Sequence, residues 1–162
     1  MRRMRWITWL ALALALTATI GAGRAGGGML DGFEIGHVPG GVGATVSDFS
    51  YEWEDVAFAS RVWEHATPDG GHAVDLTVIV LRGDRLTDAD ALRDFLAAYH
   101  ECDPATWRPT QIGNWPGFMS DNQLFWLVQP GVAVDVRADP GRFRIHDLLA
   151  AATSIRPAPS HD

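Results

Sequence analysis

The segment that most constrains the fold is residues 73–81, AVDLTVIVL, which is rich in β-branched residues and carries no glycine or proline. Successive side chains of a strand point to opposite faces of a sheet. One face of this segment is entirely apolar, whereas the other begins with Asp75 and becomes apolar towards Leu81. The pattern predicts a central strand, one face of which is only partly covered by another element.

Further strand-like segments are separated by tight turns. Clusters of glycine and proline at residues 39–43, 67–71 and 129–131 interrupt the apolar segments and predict turns, as does NWPG at 114–117. Strands joined by such short connections pair in antiparallel fashion. The predicted strands are residues 33–38, 45–51, 56–64, 122–128 and 132–137, with a strand or extended loop at 106–113.

Two helices are predicted. Residues 87–100 form the main one, with Thr87 as N-cap and with Asp88 and Asp90 in the first turn, where negative charge suits the helix dipole. A shorter helix spans 146–155. Apolar residues recur at spacings of three and four along the main helix: Ala89, Leu92, Phe95, Leu96 and Tyr99.

These elements predict an α+β fold: a curved antiparallel sheet of about five to seven strands, with the main helix packed on one face and a short C-terminal helix. The predicted domain covers residues 33–156. A flexible lead-in is expected at 26–32 and a disordered tail at 157–162.

The first 25 residues have the three parts of a secretory signal peptide. A basic start at residues 1–5 precedes an apolar run over 6–20, and the small residues Gly23 and Ala25 mark cleavage after residue 25. The prediction is a secreted, extracytoplasmic domain. The alternative is a retained N-terminal anchor with the domain outside, although a membrane-spanning helix needs about 20 residues.

The charge of the remaining chain argues against nucleic acid as a partner. Four of the 13 basic residues lie in the leader, so 9 face 20 acidic residues and the net charge is about −11. Such a domain repels phosphate backbones and anionic lipid surfaces, so no membrane contact is expected after signal cleavage. Cys102 is the single cysteine, either buried as a thiol or paired between chains.

Tryptophans supply the candidate binding residues. Trp63 and Trp126 lie inside predicted strands and are expected in the core. Trp53, Trp107 and Trp115 lie at the rim of a strand or near proline and glycine in loops. Exposed tryptophans on loops frequently anchor a partner, which would be a protein or an envelope component.

Catalytic chemistry has weaker support. Glu52 and Glu54 alternate with aromatic residues and would share one strand face. His65 and His72 flank one turn, with Glu64 and Asp75 beside them. These pairs define an alternative, a cell-envelope hydrolase. No metal-ligand spacing is present, so no metal or cofactor is expected. A second alternative is a carrier that encloses a small hydrophobic ligand between sheet and helix.

Several segments carry a family resemblance. The segment DLTVIVLRGDRLTDADALRDFLAAYHE resembles an uncharacterised family of actinobacterial secreted proteins. The C-terminal half, with NWPGF, LFWLV, PGVAVDV and LLAAATSI, resembles the extracytoplasmic domains of membrane-bound regulators from Gram-positive bacteria. The resemblance implies no established activity and assigns no functional residue. The prediction is therefore a secreted, non-catalytic binding domain of unknown specificity that uses Trp53, Trp107 and Trp115.

Overall fold

The structure is a computed structural model that describes residues 27–159. The predicted signal peptide lies outside these residues, as does the end of the predicted tail. The strands are β1 (Gly28–Leu30), β2 (Phe33–Ile35), β3 (Thr45–Trp53), β4 (Val56–Ala66), β5 (His72–Arg82), β6 (Arg108–Ile112), β7 (Trp115–Met119), β8 (Gln123–Gln129), β9 (Val132–Ala138) and β10 (Ile155–Pro157). The helices are α1 (Ala89–His100) and α2 (Ile145–Ser154), with a one-turn 3₁₀ helix at Pro104–Thr106.

The main sheet has seven strands in the order β3-β4-β5-β9-β8-β7-β6, and every pairing in it is antiparallel. It consists of two meanders, β3–β5 and β6–β9, which the segment containing α1 connects. The first meander joins the second through β5 and β9, so the strand predicted to be central has a neighbour on each side. The α+β class and the antiparallel sheet are confirmed.

The two faces of this sheet are covered by different layers. Leu76, Val78 and Val80 of β5 face a core that contains residues of α2 and of a small second sheet, whose order is β1-β2-β10. Ile79 and Leu81, on the opposite face, belong to a second core that contains the apolar side of α1. The alternating side chains of β5 therefore pack into two separate cores, one on each face of the sheet.

The N-cap of helix α1 lies one residue later than the predicted N-cap. Asp88, not Thr87, is the capping residue: its carboxylate accepts a hydrogen bond from the backbone N–H of Ala91 at 2.8 Å. The helix ends at Glu101, which adopts the left-handed conformation with φ 52°. This end places Tyr99 and His100 above the sheet.

Residues from both predicted flexible ends take part in strand pairing. Residues 28–30 of the expected lead-in form β1, and the Arg61 guanidinium donates a hydrogen bond to the carbonyl of Gly27. Pro157, the first residue of the expected tail, belongs to β10, and Ala158 N–H donates to Gly32 O at 2.8 Å. These strands owe their order to long-range pairing and not to local propensity.

The expected turn at 114–117 is also corrected. The turn lies one to two residues earlier, at Gly113, whose φ is 61°, and Asn114, so that Trp115 begins β7. Gly117 is a strand residue. A Cβ there would lie 2.1 Å from the carbonyl oxygen of Phe125 on β8, so the close approach of the two strands requires glycine.

Candidate functional site

A polar cleft of about 520 Å³ opens beside the C-terminal end of α1. Strands β3, β4, β5 and β9 contribute to its lining, and the last turn of the helix forms one wall. Because α1 covers only part of this face, a cleft remains between the end of the helix and the strands. The cleft-lining residues that matter below are Tyr51, Ser60, Thr77, Tyr99, His100 and Arg137.

The sequence of β9 brings charge to this region. Ala133, Asp135 and Arg137 alternate onto the α1 face, while Val132, Val134 and Val136 fill the opposite core. Ala133 packs beneath α1 and Arg137 reaches the cleft. Asp135 lies between them, so a carboxyl group sits at the border between apolar core and cleft.

Asp135 is fully buried and only partly hydrogen bonded. Its side chain has 0 % exposure, Oδ1 accepts a hydrogen bond from Gln123 Nε2 at 2.9 Å, and Oδ2 has no hydrogen-bond partner among residues 27–159. Burial raises the pKa of this carboxyl to about 6, although the Gln123 hydrogen bond and the Arg137 charge oppose the shift. A buried acceptor of this kind is costly unless it gains a donor.

Gln123 orients this carboxyl. Its Oε1 accepts a hydrogen bond from the buried Trp107 indole, Nε1 to Oε1 3.1 Å, while its Nε2 donates to Asp135. The same amide nitrogen lies 3.3 Å from His100 Nε2. The amide therefore has partners for both its oxygen and its nitrogen, and the chain Trp107–Gln123–Asp135 connects three elements beneath the cleft.

His100 is held as a neutral ring. Its Nε2 lies 3.3 Å from the Gln123 amide nitrogen and its Nδ1 lies 3.5 Å from Arg137 Nη1, and a neutral ring can accept from only one of these N–H groups. Burial and the Arg137 charge lower the pKa of His100 to about 4. Asp135 Oδ2 is 4.0 Å from Nε2, which is too long for a hydrogen bond. The distance is at the limit for an ion pair, and the lowered pKa of His100 argues against one.

Two tyrosines and an arginine complete the cleft. The hydroxyls of Tyr51 and Tyr99 are 2.8 Å apart, and burial together with this hydrogen bond raises the pKa of Tyr51. Arg137 is exposed and, among residues 27–159, has no carboxylate oxygen within 4.0 Å. The cleft thus combines hydroxyls, a neutral imidazole and an unpaired cation above a buried carboxyl.

A second buried carboxylate has all its partners. Asp75 accepts hydrogen bonds from Gly43 N–H at 2.8 Å and from Arg142 Nη1 at 2.6 Å, and its Oδ1 lies 2.8 Å from His65 Nδ1. The hairpin thus brings His65 to Asp75, but not to His72, which is exposed opposite Ala66. The cluster ties β4, β5 and the loop before α2 together.

The three candidate tryptophans are not a shared loop surface. Trp107 is 6 % exposed and packs edge-on against Phe125, so it offers little surface to a partner. Trp53 is half-buried against Phe95 and Tyr99 of α1. Trp115 is half-buried against the core on the other side of the sheet. The predicted burial of Trp63 and Trp126 is confirmed, with exposures of 2 % and 0 %.

The predicted carboxylate pair is also separated. Glu52 is exposed on β3, while Glu54 lies in the following turn with φ 50° and pairs with Arg85, Oε2 to Nη1 2.9 Å. The strand alternation therefore ends before Glu54. Cys102 is a free, half-buried thiol beside the α1 core.

Sequence reasoning missed Asp135, although a signal was available. In VAVDVRA the charged Asp135 interrupts a strand and has a valine on each side. Tyr99 was assigned only to the apolar stripe of α1, whereas its hydroxyl reaches the cleft. Within residues 27–159, no three histidine, cysteine or acidic side chains are grouped as metal ligands.

Neither α1 nor α2, the two α-helices that the structure describes, has the length and hydropathy of a membrane-spanning helix. Comparison with protein families, curated proteins and solved structures finds no match to this chain.

Proposed function

We propose that the chain is an exported, non-catalytic binding domain that holds a small molecule in the polar cleft. The observation that carries this proposal is Oδ2 of Asp135, an acceptor buried without a partner beside an open cleft. Unpaired buried polar atoms are rare in folded proteins, and a buried carboxyl with a raised pKa beside a cleft is a candidate functional group.

The size and composition of the cleft support a small ligand. Its volume of about 520 Å³ falls in the range of small-molecule sites, which extend from about 300 to 1,000 Å³. Groups able to orient a ligand converge there from two strands and one helix: the Tyr51 and Tyr99 hydroxyls, His100 and Arg137. Export rests on the leader pattern of the sequence alone.

The alternatives have less support. A partner surface formed by Trp53, Trp107 and Trp115 has less support because Trp107 is buried and cannot contact a partner. The hydrolase hypothesis needs convergent pairs, but Glu54 is in a turn with Arg85 and His65 is bonded to Asp75. A hydrophobic-ligand carrier suits this cleft poorly because hydroxyl and charged side chains lie among its apolar residues Val62, Val74 and Ile79, and the cleft is open.

Thermal unfolding with a panel of solutes tests the proposal. The purified protein without residues 1–25 is heated with amines, carboxylates, phosphates, amino acids, sugars and fatty acids, each in excess. We expect at least one class to raise the Tm of the wild type, because a ligand that binds the folded state stabilises it by mass action. Arg137→Gln should abolish that increase.

Two controls locate the ligand. Arg108→Gln removes a positive charge on β6, three strands away from β9, and Trp115→Ala alters the opposite side of the sheet. Both should retain the Tm increase. An increase that survives Arg137→Gln and disappears in Trp115→Ala would instead support the tryptophan surface, and a panel in which no class acts would refute the cleft as a binding site.

A further inference from the structure

We propose that the polar cleft is a receptor for a small zwitterion, such as a free α-amino acid, whose ammonium group pairs with Asp135 and whose carboxylate pairs with Arg137. The inference rests on the proposed function, since it names the class of ligand for the same cleft. It follows from the position of Asp135 and Arg137, two opposite charges that, within the described part of the chain, have no mutual ion pair and no other charged partner.

Asp135 defines the ammonium end. Its free oxygen, Oδ2, has no donor, and Oδ1 has only the Gln123 amide. A protonated amine supplies up to three N–H donors and a compensating charge in one group. The rings of Tyr51 and Tyr99 lie at the same cleft, and aromatic rings favour cations nearby.

Arg137 defines the anionic end. Its guanidinium is at the rim of the cleft, and no carboxylate of the described residues lies within 4.0 Å of it. The two acidic residues that also line the cleft have other partners: Asp75 is bonded to Arg142 and His65, and Asp139 accepts the Gly141 N–H. The guanidinium fork fits a carboxylate with two parallel hydrogen bonds.

The spacing of the two charges suits one small molecule. Asp135 and Arg137 are two residues apart on the same face of β9, which corresponds to about 7 Å along a strand. A simple amine is positively charged and is repelled by Arg137. A simple acid is negatively charged and is repelled by Asp135. A molecule that carries both charges can pair with Asp135 and with Arg137 at once. The two residues therefore attract a zwitterion and discriminate against ligands with a single charge.

Access to Asp135 requires a side-chain movement. Its Oδ2 is buried, and the His100 ring, which lines the cleft, lies 4.0 Å from it. The ring is neutral, so no ion pair has to break when it rotates away. The ligand amine then takes the place that the ring occupies next to Oδ2.

The indole N–H signals of the tryptophans provide an internal readout in ¹⁵N-labelled protein. Trp107 Nε1 donates to Gln123, which is bonded to Asp135, so a charge arriving at Asp135 must change this signal. The indoles of Trp63 and Trp126 lie in the core on the other side of the sheet and have no hydrogen-bond partner. They serve as controls within the same molecule.

The probes are alanine, leucine, glutamine and phenylalanine, each compared with its N-acetyl derivative and its amide at pH 7.5. We expect at least one free amino acid to shift the Trp107 signal in a saturable manner and to leave Trp63 and Trp126 unchanged. Its two derivatives, which each lack one charge, should bind at least tenfold more weakly. Asp135→Asn and Arg137→Gln should lose the response, and Arg108→Gln should keep it.

The result that would overturn the inference is an equal response to a free amino acid and to its derivatives, or no response of Trp107 to any amino acid. If the solute panel yields a ligand of another class that depends on Arg137, the zwitterion is wrong and the binding cleft stands. If no solute depends on Arg137, both proposals fail together.

Discussion

His100 and Asp135 approach each other to 4.0 Å, Nε2 to Oδ2, yet both are arranged to be neutral at mildly acidic pH. Burial acts on the two groups in opposite directions, raising the pKa of Asp135 to about 6 and lowering that of His100 to about 4. The Arg137 charge adds to the second shift and opposes the first. The contact is thus a pair of neutral groups over the window between these values, not a salt bridge.

Asp135→Asn is expected to stabilise the protein increasingly as pH rises. Because the folded-state pKa of Asp135 is raised from 3.8 to about 6, the native state holds an extra proton in this window, and the contribution of Asp135 to stability falls as pH increases through it. Once the buried carboxyl is ionised, the cost is about 3 kcal/mol. Asparagine cannot ionise and retains an acceptor for Gln123.

Urea denaturation at pH 4.5, 6 and 8 measures this difference. The free energy of unfolding of the variant should exceed that of the wild type by a growing margin, approaching about 3 kcal/mol at pH 8. A margin that is constant with pH would show that Asp135 does not titrate differently in the folded and unfolded states.

His100→Gln is expected to change the dependence of stability on pH in the opposite sense. Because the folded-state pKa of His100 is lowered from 6.5 to about 4, the unfolded state binds more protons in this interval and the contribution of His100 to stability rises with pH. In the wild type this rise offsets the fall due to Asp135. The variant should therefore lose stability between pH 4 and 6.5, whereas the wild type stays nearly constant, as denaturation at several pH values would show.

Trp107→Phe tests the hydrogen bond that orients Gln123. Phenylalanine retains an aromatic ring against Phe125 but leaves Gln123 Oε1 buried without a donor, which costs about 1–3 kcal/mol. Trp126→Phe is the matched control, because the buried indole N–H of Trp126 has no acceptor to lose. Only the Trp107 variant should also alter the titration of Asp135. If both variants changed the free energy of unfolding and this titration equally, Trp107 would contribute packing alone.

Asp75→Ala is expected to be strongly destabilising. The carboxylate is fully buried and accepts from Gly43 and Arg142 while contacting His65, so its removal leaves Arg142 without a counter-charge at a cost of about 3–5 kcal/mol. The comparison is Asp31→Asn, which suits the left-handed backbone at this position and removes only the charge of an exposed pair with Arg82, worth at most about 1 kcal/mol. Chemical denaturation distinguishes the two, and similar losses would contradict a structural role for the Asp75 cluster.

The sequence predicted the long strands well because their apolar alternation is a local signal. The nine residues 73–81 lie within β5, and the predicted strands at 45–51 and 56–64 lie within β3 and β4. Strands β1 and β10 were missed because three-residue strands such as Gly28–Leu30 depend on pairing with β2, which no local pattern encodes.

The cleft was less predictable, for a related reason. Asp135 is visible as a charge within a buried strand, but its neighbours Gln123, His100 and Tyr51 come from β8, α1 and β3. Their meeting depends on where α1 ends above the sheet. The misassignment of Trp107 has the same origin, because proline nearby indicates a loop but does not show that the indole turns inwards to Gln123.

The most direct test of the binding cleft is to titrate the Asp135 carboxyl and to monitor it by NMR in protein with ¹³C-labelled aspartate. The account predicts one aspartate with a pKa of about 6 that is missing from Asp135→Asn, and a fall in this pKa when a cationic ligand group occupies the cleft. A spectrum in which every aspartate titrates at or below about 4 would contradict it, because Asp135 would then already have the partners that the cleft is proposed to recruit.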